Sequence, residues 1–171
     1  MNLIDYERLK EMGFSEEKPW FYVAGSLTGI SPERKKELDK FYEDIATVVR
    51  KNGGFAYLPH KGGTDPVKNP DILPADVYET DIIAVEHSKN GGGLIAYVGE
   101  PSTGVGIEIQ HANLLKIPVI LLYEVDKKVT RLAKGIPNLA ELIIFDSKKD
   151  ALKRLDAAVA KVISSGKPSD E

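Results

Sequence analysis

Apolar runs and amphipathic stretches alternate along this chain. Short runs of consecutive apolar residues are typical of strands that a sheet buries on both faces. Such runs occur at 20–25 (WFYVAG), 55–59 (FAYLP), 92–99 (GGLIAYVG), 117–124 (IPVILLYE) and 141–145 (ELIIF). The pattern predicts five buried strands.

Helical patterns separate these strands. Ser31 can cap a helix that Pro32 opens and Gly53 closes. A loop rich in Gly, Pro and Asp is predicted from His60 to about residue 73, and Pro74 opens the next helix, to about residue 87. The last helix is expected over about 148–164. Strands that alternate with helices predict βαβ units around a parallel sheet.

Composition narrows the class of protein. The chain has 171 residues, 42% of them hydrophobic, which suits one globular domain with a full core. It has no cysteine, and no apolar run is long enough to span a bilayer, so we expect a cytoplasmic protein without a membrane partner. The formal net charge is -3 with dispersed basic residues, which argues against binding to a nucleic-acid polymer. His87 and His111 lack metal-ligand spacing, so neither a metal nor a cofactor is expected.

Two loops follow predicted strands at the edge where parallel sheets bind ligands. The second, GEPSTGVGIE, ends in Glu108, which we expect in the first turn of a helix, where the helix dipole favours the ionised carboxylate. Gly104 and Gly106 would let the backbone approach a ligand or take positive φ. An oriented carboxylate can act as a nucleophile. Glutamates are also common in first turns, and glycines in such loops, so this loop alone does not establish a site.

Asp81 adds a second carboxylate. It shares one predicted helix face with Tyr78, Ile82 and Val85, so a charge would lie in an apolar stripe that faces the sheet. The alternatives are a structural aspartate that binds a backbone group and a carboxylate that points into a cleft. Two carboxylates at one cleft are the groups that split glycosidic bonds.

Hydroxyl groups and an imidazole complete the candidates. Ser26 and Thr28 follow Gly25 in the first loop, and Ser102 lies in the second; hydroxyl and backbone N–H groups there can hold a phosphate or a sugar hydroxyl, although ordinary turn chemistry explains them equally well. His60, at the end of the second strand, would face either the cleft or solvent.

From about residue 21 to residue 123 the chain resembles the nucleoside 2-deoxyribosyltransferases and the related nucleoside 5'-monophosphate N-glycosidases. The resemblance rests on YVAGSLTG, VYETDIIAVEHS, EPSTGVGIEIQHA and KIPVILLY, in this order and spacing. It implies a single-domain flavodoxin-like or Rossmann-like α/β sandwich, a five-stranded parallel sheet in the order 2-1-3-4-5 with helices on both faces. We expect the chain to divide into an N-terminal helical extension (1–19), a nucleoside deoxyribosyltransferase-like α/β domain (20–164) and a flexible tail (165–171).

The resemblance implies roles position by position. Glu108 matches the family nucleophile that attacks the anomeric carbon, Asp81 the aspartate that assists departure of the base, and Tyr22 an aromatic residue beside the nucleophile. Ser26 and Ser102 match positions that hold the 5'-phosphate in the monophosphate-cleaving branch, where the transferase branch has an acid in place of Ser102. The sugar then passes to water or to a second base.

The chain departs from the family pattern at Thr28, where the monophosphate branch has an arginine; Arg131 is the candidate for the missing cation. In the family, the region of Arg131 reaches a neighbouring subunit, which implies a homodimer or a multiple of dimers.

Two alternative functions remain. The cytokinin-activating nucleotide hydrolases also place glycines before a glutamate, but their Pro-Gly-Gly-x-Gly-Thr loop is absent. A catalytically silent nucleotide-binding or sensor domain is the other.

Overall fold

A computed structural model describes residues 4–166 of the chain. Its strands are β1 (Trp20–Ala24), β2 (Phe55–Tyr57), β3 (Gly93–Tyr97), β4 (Val119–Glu124) and β5 (Leu139–Phe145). Its helices are α1 (Tyr6–Glu11), α2 (Pro32–Lys51), α3 (Pro59–Gly62), α4 (Pro74–Glu86), α5 (Thr103–Leu114), α6 (Arg131–Lys134) and α7 (Lys148–Ser165), with a 3₁₀ turn at His87–Lys89.

The five strands form one parallel sheet in the order β2-β1-β3-β4-β5. This confirms the predicted α/β class, the strand order and the single domain. In β1, Tyr22 lies beside Tyr57 of β2 and Leu94 of β3, so β1 is internal. The sheet order changes direction between β1 and β3, and parallel sheets bind ligands at the carboxyl ends of strands at such a point.

Side-chain alternation divides the core into two layers. Phe21 and Val23 point to the face that α2 and α7 cover. Trp20, Tyr22 and Ala24 point to the opposite face, against α4 and α5. The aromatic side chain of Tyr22 therefore lies under the two helices that carry the predicted carboxylates.

Helix starts follow their capping residues. Ser31 accepts a hydrogen bond from the amide of Arg34, and Ser147 caps α7 through the amide of Asp150. Pro74 is the first residue of α4, as predicted. The predicted loop after β2 contains the short helix α3.

The described N-terminal residues pack onto the α4 and α5 side of the sheet. The Tyr6 hydroxyl lies 2.7 Å from Nε2 of His87, and the Phe14 ring contacts Trp20 and Phe55 edge-on. Residues 1–3 of the predicted extension and 167–171 of the predicted tail lie outside the described residues. Among residues 4–166, no helix combines the length and apolar character needed to cross a bilayer.

Candidate active site

A cavity of about 600 Å³ lies at the carboxyl ends of β1 and β3. Its lining includes two carboxyl groups, Glu108 from α5 and Asp81 from α4, together with the loops after β1, β2 and β3. Six of the residues proposed from the sequence line it: Gly25, Thr28, Asp81, Ser102, Gly104 and Glu108.

Tyr22 of β1 forms a hydrogen bond with Glu108. Its side chain is fully buried, and its hydroxyl donates a hydrogen bond of 2.7 Å to Oε1 of Glu108. The other oxygen, Oε2, is buried and has no hydrogen-bond partner among residues 4–166. Buried polar atoms are normally satisfied, so an unpartnered oxygen beside a cavity suits a bound molecule.

Burial governs the charge of Glu108. Removal from water raises the pKa of Glu108 from 4.5 to about 8; the hydrogen bond from Tyr22 lowers it, and the charge of Asp81 raises it. The expectation that the helix dipole keeps this carboxylate ionised is wrong. Ser102 caps α5 through the amide of Val105, so Glu108 is in the second turn, where the dipole has little effect.

Asp81 is the second carboxyl group. Its Oδ1 lies 3.1 Å from the hydroxyl of Thr64, which also lines the cavity. Burial raises the pKa of Asp81 from 3.8 to about 6, and the hydrogen bond from Thr64 lowers it. The expected apolar stripe around Asp81 is only partly correct: Val85, one turn after Asp81, is fully buried, but Tyr78, one turn before it, is 59% exposed.

The glycines differ in their surroundings. Gly104 and Gly106 lie inside α5 without positive φ, and a Cβ at either would meet nearly open space. Gly104 borders the cavity with Glu108, whereas Gly106 faces an adjoining cavity of about 280 Å³ that also reaches Ser102 and Lys128. A Cβ at Gly25 would overlap the phenol ring of Tyr42, so this position needs glycine for packing.

Three further sequence-predicted residues lie outside the lining. Ser26 is buried, and its hydroxyl donates to the carbonyl of Thr28 at 3.0 Å, so it shapes the first loop. His60 is only 5% exposed because α3 turns it toward α2, where Nε2 lies 3.6 Å from Glu43, so it faces neither the cavity nor solvent. Arg131 is exposed on α6.

The loop after β2 contributes cavity residues that were not predicted from the sequence, among them Thr64, Asn69 and Ile72. The predicted strand order could have identified them: β2 is the neighbour of β1, so the loop after β2 lies at the same edge of the sheet as the loop after β1. Within residues 4–166, no group of three or more His, Cys, Asp or Glu side chains is placed to hold a metal ion.

Comparisons with known proteins find relatives in sequence. No protein-family model matches the sequence. A protein of Methanosarcina mazei, named provisionally as 2'-deoxynucleoside 5'-phosphate N-hydrolase 1, is 29% identical over 154 residues, which cover 87% of this chain and 91% of that protein. A protein of Methanosarcina barkeri with the same provisional name is 28% identical over 141 residues, which cover 77% of this chain and 84% of that protein.

Solved structures share the fold. The CMP N-glycosidase of Clostridium botulinum superposes with a TM-score of 0.59 at 21% identity, covering 81% of this chain and 98% of that one. A 2-deoxyribosyltransferase of Bacillus psychrosaccharolyticus superposes with a TM-score of 0.55 at 17% identity, covering 78% of this chain and 90% of that one. The resemblance found in the sequence is therefore confirmed: the two sequence relatives carry the name of a 2'-deoxynucleoside 5'-phosphate N-hydrolase, and an N-glycosidase and a 2-deoxyribosyltransferase share the fold.

Proposed function

We propose that this protein is an enzyme that cleaves the N-glycosidic bond of a nucleoside or its 5'-monophosphate, with Glu108 as the nucleophile. One observation carries the proposal: Glu108, held by Tyr22, and Asp81 line the same cavity. The provisional name of the two Methanosarcina relatives and the activity in the name of the Clostridium botulinum neighbour support cleavage of the same type of bond.

The two carboxyl groups can divide the reaction between them. A Glu108 oxygen attacks C1', the bond from C1' to the base nitrogen breaks, and its electron pair leaves with the base. Asp81, as the acid, gives a proton to the departing base. Water then attacks C1', loses a proton to the Asp81 carboxylate, and breaks the ester bond to Glu108. A second base that attacks in place of water gives an exchanged nucleoside.

The free site holds the number of protons that this chemistry needs, but mostly on Glu108, so the proton must move to Asp81 when the substrate reacts. With pKa values of about 8 and about 6, Glu108 and Asp81 together hold one proton near pH 7. Catalysis requires that proton on Asp81 and a charge on Glu108. Positive charge that develops at C1' favours the ionised form of Glu108, and the hydrogen bond from Tyr22 favours it further.

The start of α5 forms the phosphate end of the site in this proposal. Ser102 Oγ accepts the amide hydrogen of Val105 at 3.3 Å, so its own hydrogen can be donated to a ligand. Thr103 and Gly104 border the cavity, and first-turn amides such as theirs have no partner within the helix. Such a helix start favours an anion, and we therefore favour the 5'-monophosphate over the free nucleoside.

Assembly is part of the proposal. We propose a homodimer or a multiple of dimers in which residues 130–135 lie near the cavity of a neighbouring copy. Leu132, in this segment, is 84% exposed, which is unusual for a large apolar side chain.

The test is a panel of nucleosides and their 5'-monophosphates, with and without an acceptor base, analysed by chromatography. We expect free base from wild-type protein and none from Glu108→Gln, with Glu79→Gln on the exposed face of α4 as a matched control. Tight binding of a nucleotide without base release would favour the silent nucleotide-binding domain. Release of base by Glu108→Gln at the wild-type rate would remove Glu108 from the mechanism.

A further inference from the structure

The hydroxyl of Thr64 has two possible acceptors and one hydrogen. Thr64 is 5% exposed, and its Oγ1 lies 3.2 Å from the carbonyl oxygen of Pro59 and 3.1 Å from Oδ1 of Asp81. A hydroxyl donates only once, so which of the two oxygens receives the hydrogen depends on whether Asp81 carries a proton.

The Thr64 hydroxyl can form a hydrogen bond in both charge states of Asp81. When Asp81 is ionised, Thr64 donates to the carboxylate, because a charged acceptor forms the stronger hydrogen bond. When Asp81 is protonated at Oδ2, the oxygen left free to give the proton to the base, Oδ1 is a neutral acceptor weaker than an amide carbonyl, and Thr64 donates to Pro59. Rotation of one buried hydroxyl therefore accompanies the gain or loss of the proton.

No other side chain among residues 4–166 forms a hydrogen bond with Asp81. The other titratable groups coupled to it are Glu108 of α5, Tyr22 of β1 and Tyr57 of β2, whose pKa values the charge of Asp81 raises. Thr64 is thus the direct polar contact through which the surrounding protein can favour one charge state of Asp81.

A buried ion pair fixes the segment that carries Thr64. The next residue, Asp65, is fully buried; its Oδ2 lies 3.0 Å from Nζ of Lys35 in α2, and its Oδ1 accepts from the amide of Val67 at 2.9 Å. Lys35 also pairs with Asp39 at 3.0 Å. The loop after β2 is therefore tied to α2 one residue beyond Thr64, so the hydroxyl is held against Asp81.

We propose that Thr64 is a positioning residue for Asp81, whose hydroxyl turns from the carbonyl of Pro59 to Oδ1 of Asp81 when Asp81 releases the proton of the reaction, and back when Asp81 regains it. This inference rests on the proposed role of Asp81 in glycosidic-bond cleavage. Thr64 touches Asp81 and not the reacting atoms, so its effect is on the charge state and orientation of the acid.

The test compares Thr64→Val, which keeps the shape and removes the hydroxyl, with Thr64→Ser, which keeps the hydroxyl. Two readouts are used: the pH dependence of kcat/KM for base release, and a ¹³C carboxyl NMR titration of Asp81, assigned with Asp81→Asn. In Thr64→Val, ionised Asp81 loses its hydrogen bond, so we expect its titration and the acidic limb of kcat/KM to move up by about one pH unit. Thr64→Ser should keep both close to wild type.

A titration of Asp81 in Thr64→Val that superposes on wild type would overturn the inference, even if activity falls. Base release by wild type, together with an unmoved titration, refutes the role of Thr64 alone. A moved titration in a protein that releases no base refutes the proposed function and leaves the contact between Thr64 and Asp81 established. If Thr64→Val does not fold, as judged by near-UV circular dichroism, Thr64→Ala provides the same comparison.

Discussion

Replacement of Glu108 by glutamine should stabilise the protein at neutral and alkaline pH while it abolishes turnover. Burial raises the pKa of Glu108 from 4.5 to about 8, so between these values the folded state binds a proton that the unfolded state has released. The free energy of unfolding therefore falls as the pH rises through this window. Glutamine carries no charge and is free of this penalty.

The size of the effect follows from the shift in pKa. At about 1.4 kcal/mol per pH unit, the buried carboxyl costs on the order of 3 kcal/mol at pH 7 and less than about 1 kcal/mol at pH 5. For a chain of this length, about 3 kcal/mol corresponds to roughly 6–12 °C in Tm. Glutamine can still accept the hydrogen bond from Tyr22, and its amide replaces the protonated oxygen, so the two proteins should be nearly equally stable at pH 5.

The assay is thermal unfolding of wild type, Glu108→Gln and Glu79→Gln at pH 5, 7 and 8.5. Glu79 is an exposed residue of α4, so its variant removes the same charge without a buried carboxyl group. A gain in Tm for Glu108→Gln that does not depend on pH, or a loss at every pH, would refute the account of Glu108 as a carboxyl group destabilised by burial.

Four further outcomes follow from the site. Asp81→Asn should lower base release by about 10²-fold or more while nucleotide affinity, measured by calorimetry, changes little; turnover within threefold of wild type would exclude an acid role. Tyr22→Phe should raise the pKa of Glu108 and move the alkaline limb of the kcat/KM profile to higher pH, whereas an unmoved limb would show that the hydrogen bond is unimportant. Ser102→Asp should raise KM for a 5'-monophosphate far more than for the nucleoside, because a carboxylate repels the phosphate; equal increases would place the phosphate elsewhere. Light scattering at micromolar concentration should give the mass of a dimer or a multiple of dimers, and a monomer would contradict the proposed assembly.

The sheet was predictable because its signals are local. Continuous apolar runs mark strands buried on both faces, and Ser31 and Pro74 mark helix starts that the structure reproduces. The strand order came from the family resemblance, since alternating strands and helices allow several orders.

The details of the site depend on contacts that local patterns do not contain. Glu108 was expected in a first turn, but the contact between Ser102 and Val105 starts α5 early enough to place it in the second. Its raised pKa results from burial under residues distant in sequence. The short helix α3 turns His60 away from the cavity, and Thr64 contacts Asp81 from a loop whose next residue, Asp65, pairs with Lys35 of α2.

The most direct test of the central claim is mass spectrometry of the protein after reaction with a substrate whose 2'-fluoro substituent slows both steps. We predict one equivalent of base released per site and a peptide containing Glu108 whose mass is increased by the attached sugar, with neither seen in Glu108→Gln. A full equivalent of released base without any modified peptide, or a sugar attached to a residue other than Glu108, would contradict the claim that Glu108 is the nucleophile.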